Sequence, residues 1–357
     1  MNTDSFVFSK RLIKSFHTVW RAPSNIALVK YWGKYGVQLP KNPSISFTLS
    51  NCVTTTEVSF FPNDKKKYPT FEFYLNKKER PDFHPKINQF FDYILPYFPI
   101  LKDHHLVISS INSFPHSSGI ASSASAMAAL ALCVVDFEKQ FHPELGEQDF
   151  FKKASFLARL GSGSAARSIK GPLTLWGKSS AFRNSSDLYA IPFESGIHPV
   201  FKSYCDTVLI VDRGKKKVSS SVGHQLMQDH PFAVNRFDQA HKNCELLKSV
   251  LKTGDIEQFI EITESEALSL HSMMMTSRPR YILMQPNTLS IINKVWEYRV
   301  QTKIPISFTL DAGANVHLLY PVNESDKVIT FIKSNLLHYC QSGQFIEDQV
   351  GEGAKKM

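Results

Sequence analysis

Helices set beside antiparallel strands in two halves, an α+β fold, are what this chain of 357 residues predicts. The length exceeds what one hydrophobic core ordinarily organises, so two domains are the natural expectation. Apolar residues recur at helical spacing in some stretches and alternate, or form short runs, in others. A hydrophobic share of 43% against 20% charged residues suits a folded, water-soluble protein.

Taken in order, Val19 to Thr55 reads as strands, with the apolar run Ile26–Val29 and the alternating Ile45–Leu49 on either side of turn chemistry at Pro40–Pro43. Glu57–Phe61 and Thr70–Leu75 are further strands. Ile87, Phe90, Phe91 and Ile94 give Pro85–Tyr97 a helical apolar face. His105–Ser110 is a strand, and the Ala-rich, almost wholly apolar Ser122–Val135 is a buried helix opened by serine. A helix from Glu147 stops at Gly161, Leu173–Trp176 is a strand, and Lys178–Pro199 reads as irregular. Strand Thr207–Val211 opens the second half. Helices near 231–251, 255–271 and 287–300 follow, then strands Ile306–Leu310 and Val316–Tyr320 and a helix Asp326–Tyr339. The tail Gln344–Met357 reads as frayed. The domains are therefore placed at residues 1–199 and 200–357.

Bulk properties narrow the function. No apolar run reaches the roughly 20 residues a bilayer span requires, so no membrane association is expected. The start, Met1–Phe16, has basic residues but no leader-like apolar core, and reads as a basic extension or a first strand. Five scattered cysteines, without metal or redox spacing, point to small buried hydrophobes in a reducing cytoplasm. Lys and Arg outnumber Asp and Glu, 41 to 32. The excess is dispersed, apart from Lys65–Lys67 and Lys215–Lys217, and no nucleic-acid recognition motif accompanies it. The cluster at 215–217 reads as a field drawing in a small polyanion, and no nucleic-acid partner is expected.

Four stretches carry chemistry. In Pro115–Ala126 (PHSSGIASSASA), Gly119 permits close backbone approach, and Ser122 and Ser123 stand at a helix start, where free N–H groups and the helix dipole favour phosphate. Their hydroxyls can also reach a magnesium ion held by phosphates. This is neither a Walker loop nor a dinucleotide fingerprint. In Asn25–Lys34 (NIALVKYWGK), strand alternation sets Lys30 with Ile26 and Leu28, a costly place for an ammonium unless an anion meets it. In Gly161–Arg167 (GSGSAAR), an arginine suited to a two-pronged bond with a carboxylate follows a segment too rich in Gly and Ser to be core. In Thr309–Asn315 (TLDAGAN), Asp311 ends an apolar strand beside small residues, where it could orient or deprotonate a hydroxyl attacking a γ-phosphate. Singly, each has a plainer reading: a serine N-cap, an edge-strand lysine, a surface arginine, an aspartate in a turn.

In combination, APSNIALVKYWGKYG, PSISFTLS, FPHSSGIASSASA, ARLGSGSAARSIKG, KKKVSSSVGH and FTLDAGANV resemble, in order and spacing, the diphosphomevalonate decarboxylases of the GHMP kinase superfamily. The likeness runs from about Trp20 to Tyr320. It implies an N-terminal domain like ribosomal protein S5 domain 2 and a ferredoxin-like C-terminal domain. It implies ATP-dependent decarboxylation of mevalonate 5-diphosphate to isopentenyl diphosphate, with magnesium, as a cytoplasmic homodimer. Asp311, Arg167 and Lys30 match the catalytic positions. Asn25, Tyr31, Lys34, Ser162, Ser164, Arg167 and Ser220 match substrate positions. Asn112, Pro115, Ser118, Gly119, Ala121, Ser122 and Ser123 match nucleotide positions, with Ser122 and Ser123 also the magnesium contacts. The chain departs from the family pattern at Pro43, Pro172, Ser221 and Ala314. Ser221 stands where some relatives carry an arginine near phosphate, which keeps phosphomevalonate decarboxylases and related small-molecule kinases as the alternative.

Overall fold

The computed structural model describes residues 3–8, 14–63, 68–114, 120, 122–193, 196–214 and 218–357. Pro115, Ser118, Gly119 and Ala121 of the glycine-serine loop, with Lys65–Lys67 and Lys215–Lys217, lie outside the described residues.

The N-terminal half is built on strands β1 (Phe16–Ala27), β4 (Ser44–Pro62), β5 (Thr70–Leu75), β6 (Lys78–Glu79), β7 (His104–Asn112), β8 (Leu173–Trp176) and β9 (Ile191–Pro192), with β2 (Lys34–Tyr35) and β3 (Leu39–Pro40) forming a separate hairpin. The two strands read at Ile45–Leu49 and Glu57–Phe61 are one, β4, whose first part pairs β8 and whose second pairs β7. Against β4, β1 slips register between Pro23 and Asn25. A proline offers no N–H to the ladder, and a bulge of this kind re-aims the side chain after it. That side chain is Asn25.

Helices α1 (His84–Ile94), α2 (Ser122–Lys139) and α3 (Glu147–Gly161) join this sheet in one core. Alanine lets α2 sit close to the strands; its middle, Ala128 to Val135, is buried throughout. Gly161 ends α3 as read, and its role is packing, since a Cβ there would meet Met127 Sδ at 2.7 Å.

After one turn of helix, α4 (Pro199–Lys202), the C-terminal half comprises β10 (Cys205–Leu209), α5 (Ser220–Gln225), α6 (Ala233–Thr253), α7 (Ile256–Thr276), α8 (Pro286–Thr302), β11 (Ser307–Thr309), β12 (Val316–Tyr320), α9 (Ser325–Phe331) and β13 (Phe345–Gln349). Its antiparallel sheet runs β11-β12-β10-β13, the interleaved order of a ferredoxin-like split βαβ unit with extra helices inserted after the first strand. The helix read over Asp326–Tyr339 is α9 followed by a π turn, Ile332–Leu336, and a 3₁₀ turn, Leu337–Tyr339.

The tail is not frayed. β13 pairs β10, and β14 (Lys355–Lys356) crosses to pair β1 of the first sheet. Asp348, buried, accepts the main-chain N–H groups of Ser50, Asn51 and Cys52 at 2.7–2.9 Å, and Lys356 meets the buried Asp136 at 2.8 Å. Backbone pairing and buried carboxylates fixed this segment, neither of which leaves an apolar pattern to read. A shared core that joins Ile26, Phe47 and Leu175 to Phe201, Phe259 and Leu319 holds the two halves together.

Candidate active site

A cleft of about 610 Å³ opens between the halves. Asn25, Lys30, Tyr31, Lys34, Ser122, Ser123, Ser162, Ser164, Arg167, Ser220 and Asp311 all line it. Asn112 lies beside it, in an adjoining apolar slot formed by residues such as Phe73, Leu75, Ile108 and Met127, with Ser122 and Ser123 common to both cavities. Every described residue matched above to a catalytic, substrate or nucleotide position is therefore in the cleft or its annex.

Lys30 lies just beyond β1, so the bend at Leu28 and Val29, and not strand alternation, aims it. Its ammonium, buried, donates to Ala27 O at 2.6 Å and to Asp311 Oδ1 at 3.3 Å. Burial pulls the Lys30 pKa below its usual value, and the Asp311 charge opposes that shift. The anion this lysine needs comes from the other half of the chain. Asp311 follows β11 and, unlike Lys30, keeps about a quarter of its side chain open to the cleft.

Arg167 is held from two sides. Its Nε donates to Asn25 Oδ1 at 3.3 Å and its Nη1 to Ser44 Oγ at 2.8 Å, while Trp176 lies beneath the guanidinium at 5.8 Å. Asn25 is itself fixed, donating to Ser168 Oγ and Ser164 O. Burial lowers the Arg167 pKa to about 10, with Asp311 acting against the fall, so the guanidinium stays charged near neutrality. Tyr31 Oη is buried without a hydrogen-bond partner at the cleft wall. An orphaned hydroxyl in a cleft that Arg167, Lys30 and Lys34 also line fits an anionic ligand that brings its own acceptors. Gly163 is required there, since a Cβ would strike Tyr31 Oη at 2.8 Å.

Several lining residues escaped the sequence reading. His224, buried, accepts the Gly33 N–H through Nδ1 at 3.0 Å and packs on the rings of Tyr31 and Trp32 at 4.2 and 4.6 Å. Burial, then Lys34 and Arg167, depress its pKa to about 3, so it is neutral. Its signal was its place at the end of KKKVSSSVGH. Lys86 and Gln89 reach the cleft from α1, and their position at the edge of the helix's apolar face was the available clue. Ser219 caps α5 through its hydroxyl, placing Ser220 and Ser221 at a helix start facing the cavity.

For a metal, the described residues contain no cluster of three His, Cys, Asp or Glu side chains with suitable spacing. What lies at the start of α2 is a hard hydroxyl pair, Ser122 and Ser123, the latter 3.4 Å from Ser162 Oγ. That donor set fits magnesium shared with phosphate oxygens and not a cage of protein carboxylates.

Two domains of this topology around an interdomain cleft, with hydroxyls at a helix start on one wall and a carboxylate on the other, define a protein of the GHMP kinase fold. Residues 22–190 match the model of the diphosphomevalonate decarboxylase-like N-terminal domain, and residues 207–356 that of the mevalonate 5-diphosphate decarboxylase C-terminal domain. The diphosphomevalonate decarboxylase of Aspergillus fumigatus is 30% identical over 348 residues, covering 90% of this chain and 82% of its own. Among solved structures, mevalonate diphosphate decarboxylase from Staphylococcus aureus is 30% identical with a TM-score of 0.81, covering 96% of this chain and 98% of that one. A complex described as MDDEF with MVAPP, AMPPCP and magnesium is 28% identical with a TM-score of 0.80, covering 96% and 99%. The chain belongs to the diphosphomevalonate decarboxylase family.

Proposed function

We propose that this protein carries out the ATP-dependent decarboxylation of mevalonate 5-diphosphate to isopentenyl diphosphate, releasing ADP, phosphate and carbon dioxide. The observation that carries the reading is the meeting of Lys30, Asp311 and Arg167, remote in sequence, around one cleft.

A tertiary hydroxyl is a poor leaving group, so it must first become a phosphate ester. Asp311 takes the proton of the 3-hydroxyl as its oxygen attacks the γ-phosphorus, a role its partly open carboxylate suits. Lys30 supplies fixed positive charge to the transferring phosphoryl group. Arg167, braced by Asn25 and Ser44, holds the substrate carboxylate in the plane from which it must leave. When the new ester departs as phosphate, charge builds at C3; the pair of electrons from the breaking carbon–carboxylate bond forms the double bond, and carbon dioxide leaves. Orientation of this kind can lower a barrier by about 7–11 kcal/mol.

Tyr31, Lys34, Ser162, Ser164 and Ser220 are assigned to the substrate and its diphosphate, and the slot beside Asn112 to the nucleotide base, a flat apolar ring. Magnesium, held by Ser122 and Ser123 with the phosphates, would supply charge neutralisation. The family relative solved with AMPPCP and magnesium supports both groups here. The reading divides the chain at 1–199 and 200–357, which the gap between the two matched stretches supports. It includes a cytoplasmic homodimer. All five cysteines are free and buried, as a reducing compartment allows, and no described helix is long and apolar enough to cross a membrane. ADP release measured side by side with mevalonate, its 5-phosphate and its 5-diphosphate tests the substrate: the diphosphate is expected to be strongly preferred, and preference for the monophosphate would overturn that choice.

A further inference from the structure

Helix α7 touches the Lys30–Asp311 pair from behind, at two points. Glu266, fully buried, accepts the main-chain N–H of Lys30 through Oε2 at 2.8 Å. His271, also buried, lies with Nε2 at 3.1 Å from the main-chain carbonyl of Asp311. A carbonyl only accepts, so that nitrogen carries the proton. The two contacts are a little more than one helical turn apart. One rigid element thus meets both peptide units whose side chains form the reacting pair.

Glu266 is fixed in turn. Arg236 of α6 donates to it at 2.5 and 3.3 Å, and Asn243 at 2.7 Å. Arg236 also reaches the Lys30 carbonyl at 3.5 Å, where Asn42 donates at 2.9 Å. Neither member of this ion pair lines the cleft. A buried ion pair is a weak source of stability, because apolar side chains of similar volume commonly serve as well. Its contact with the Lys30 peptide is something apolar side chains would not reproduce.

We propose that Glu266, Arg236 and His271 are positioning residues: α7 holds the peptides of Lys30 and Asp311 at one separation, so that ammonium and carboxylate stand ready on either side of the transferring group. The proposal rests on the roles given above to Lys30 and Asp311. It extends them to residues that touch no substrate.

Glu266→Gln would strand a buried guanidinium and risks misfolding, so the informative variant is Arg236→Met combined with Glu266→Leu. Its melting temperature should fall by no more than about 10 °C, the cost of leaving the Lys30 N–H and the Asn243 amide without their acceptor. Because misplacement by about 1 Å can cost about 100-fold, kcat for ADP release should fall by about 30-fold while KM for ATP and for mevalonate 5-diphosphate changes by no more than about threefold. A second readout is independent of turnover. Acylation of Lys30 by an amine-reactive ester, followed by peptide mass spectrometry, should be clearly faster in the variant. His271→Leu tests the other contact and should likewise lower kcat with little change in KM. A folded double variant with parental kcat and parental Lys30 protection overturns the proposal. So does a fall in activity that matches only a loss of folded protein. Should the parent release no carbon dioxide while the variant still unmasks Lys30, the activity assignment fails and the positioning stands.

Discussion

Among the described residues, two lysines, Lys30 and Lys153, are buried against a carboxylate, and the pairs differ in what surrounds them. Lys153 and Glu138, between α3 and α2, meet at 2.7 Å with both side chains about 95% enclosed, and the ammonium lies over Phe98 at 4.5 Å. Burial lowers the Lys153 pKa and raises that of Glu138, each opposed by the partner's charge. Lys30 and Asp311 meet more loosely, at 3.3 Å, with the lysine enclosed and the carboxylate partly open. Both lysines show the same direction of shift for the same reason. A perturbed pKa therefore does not single out the functional pair. What does is that only one pair faces a cavity in which a ligand could take over its contacts.

Substitutions should separate the two. The largest effect is expected from Asp311→Asn, which removes the base and leaves the shape: turnover should fall by about 10⁴-fold, near the upper end for general-base catalysis. Nucleotide affinity, measured with a fluorescent ATP analogue, should change little. Lys153→Met should do the opposite. Leaving Glu138 unpaired in the core should cost about 3–5 kcal/mol in denaturant unfolding, with kcat per folded molecule unchanged. Loss of turnover in folded Lys153→Met would collapse the distinction between the pairs.

Arg167→Gln sharpens the comparison from the substrate side. It keeps a polar side chain against Asn25 and Ser44 but loses the charged fork, and kcat should fall by about 100-fold. The smallest effect concerns His224. Folded, its pKa sits near 3 and the imidazole is neutral, whereas the unfolded chain takes up a proton below about 6.5. The unfolded state then binds more protons between these values, so stability should fall as pH drops through that window. From pH 7 to pH 5 the loss attributable to this group is about 2 kcal/mol. His224→Gln should flatten that part of the stability curve, and an unaltered slope would show that the histidine is not held neutral as its contacts imply.

The sequence disclosed the parts whose physics is local. α2 is apolar all round, α1 carries its apolar face at helical spacing, and both were legible before any coordinates. The cleft residues were legible as a set because their motifs co-occur, and the fold then brought Lys30 within reach of Asp311. The tail was misread because Asp348 and the β14 backbone act through hydrogen bonds to residues some 300 positions away. Lys30 reads as a strand-face residue because the apolar run Ile26–Val29 continues past Ala27, where the strand ends. Glu266 is silent in the sequence, and His224 is marked only by its place at the end of KKKVSSSVGH, for a related reason. A buried polar residue on a helix looks like a solvated one until its partners are known.

The most direct test of the central claim is the ratio of carbon dioxide to ADP released from carboxyl-labelled mevalonate 5-diphosphate and ATP by the purified protein. One carbon dioxide per ADP is predicted, with both signals lost together in Asp311→Asn. ADP without carbon dioxide, or full release by the Asp311→Asn protein, would contradict the account.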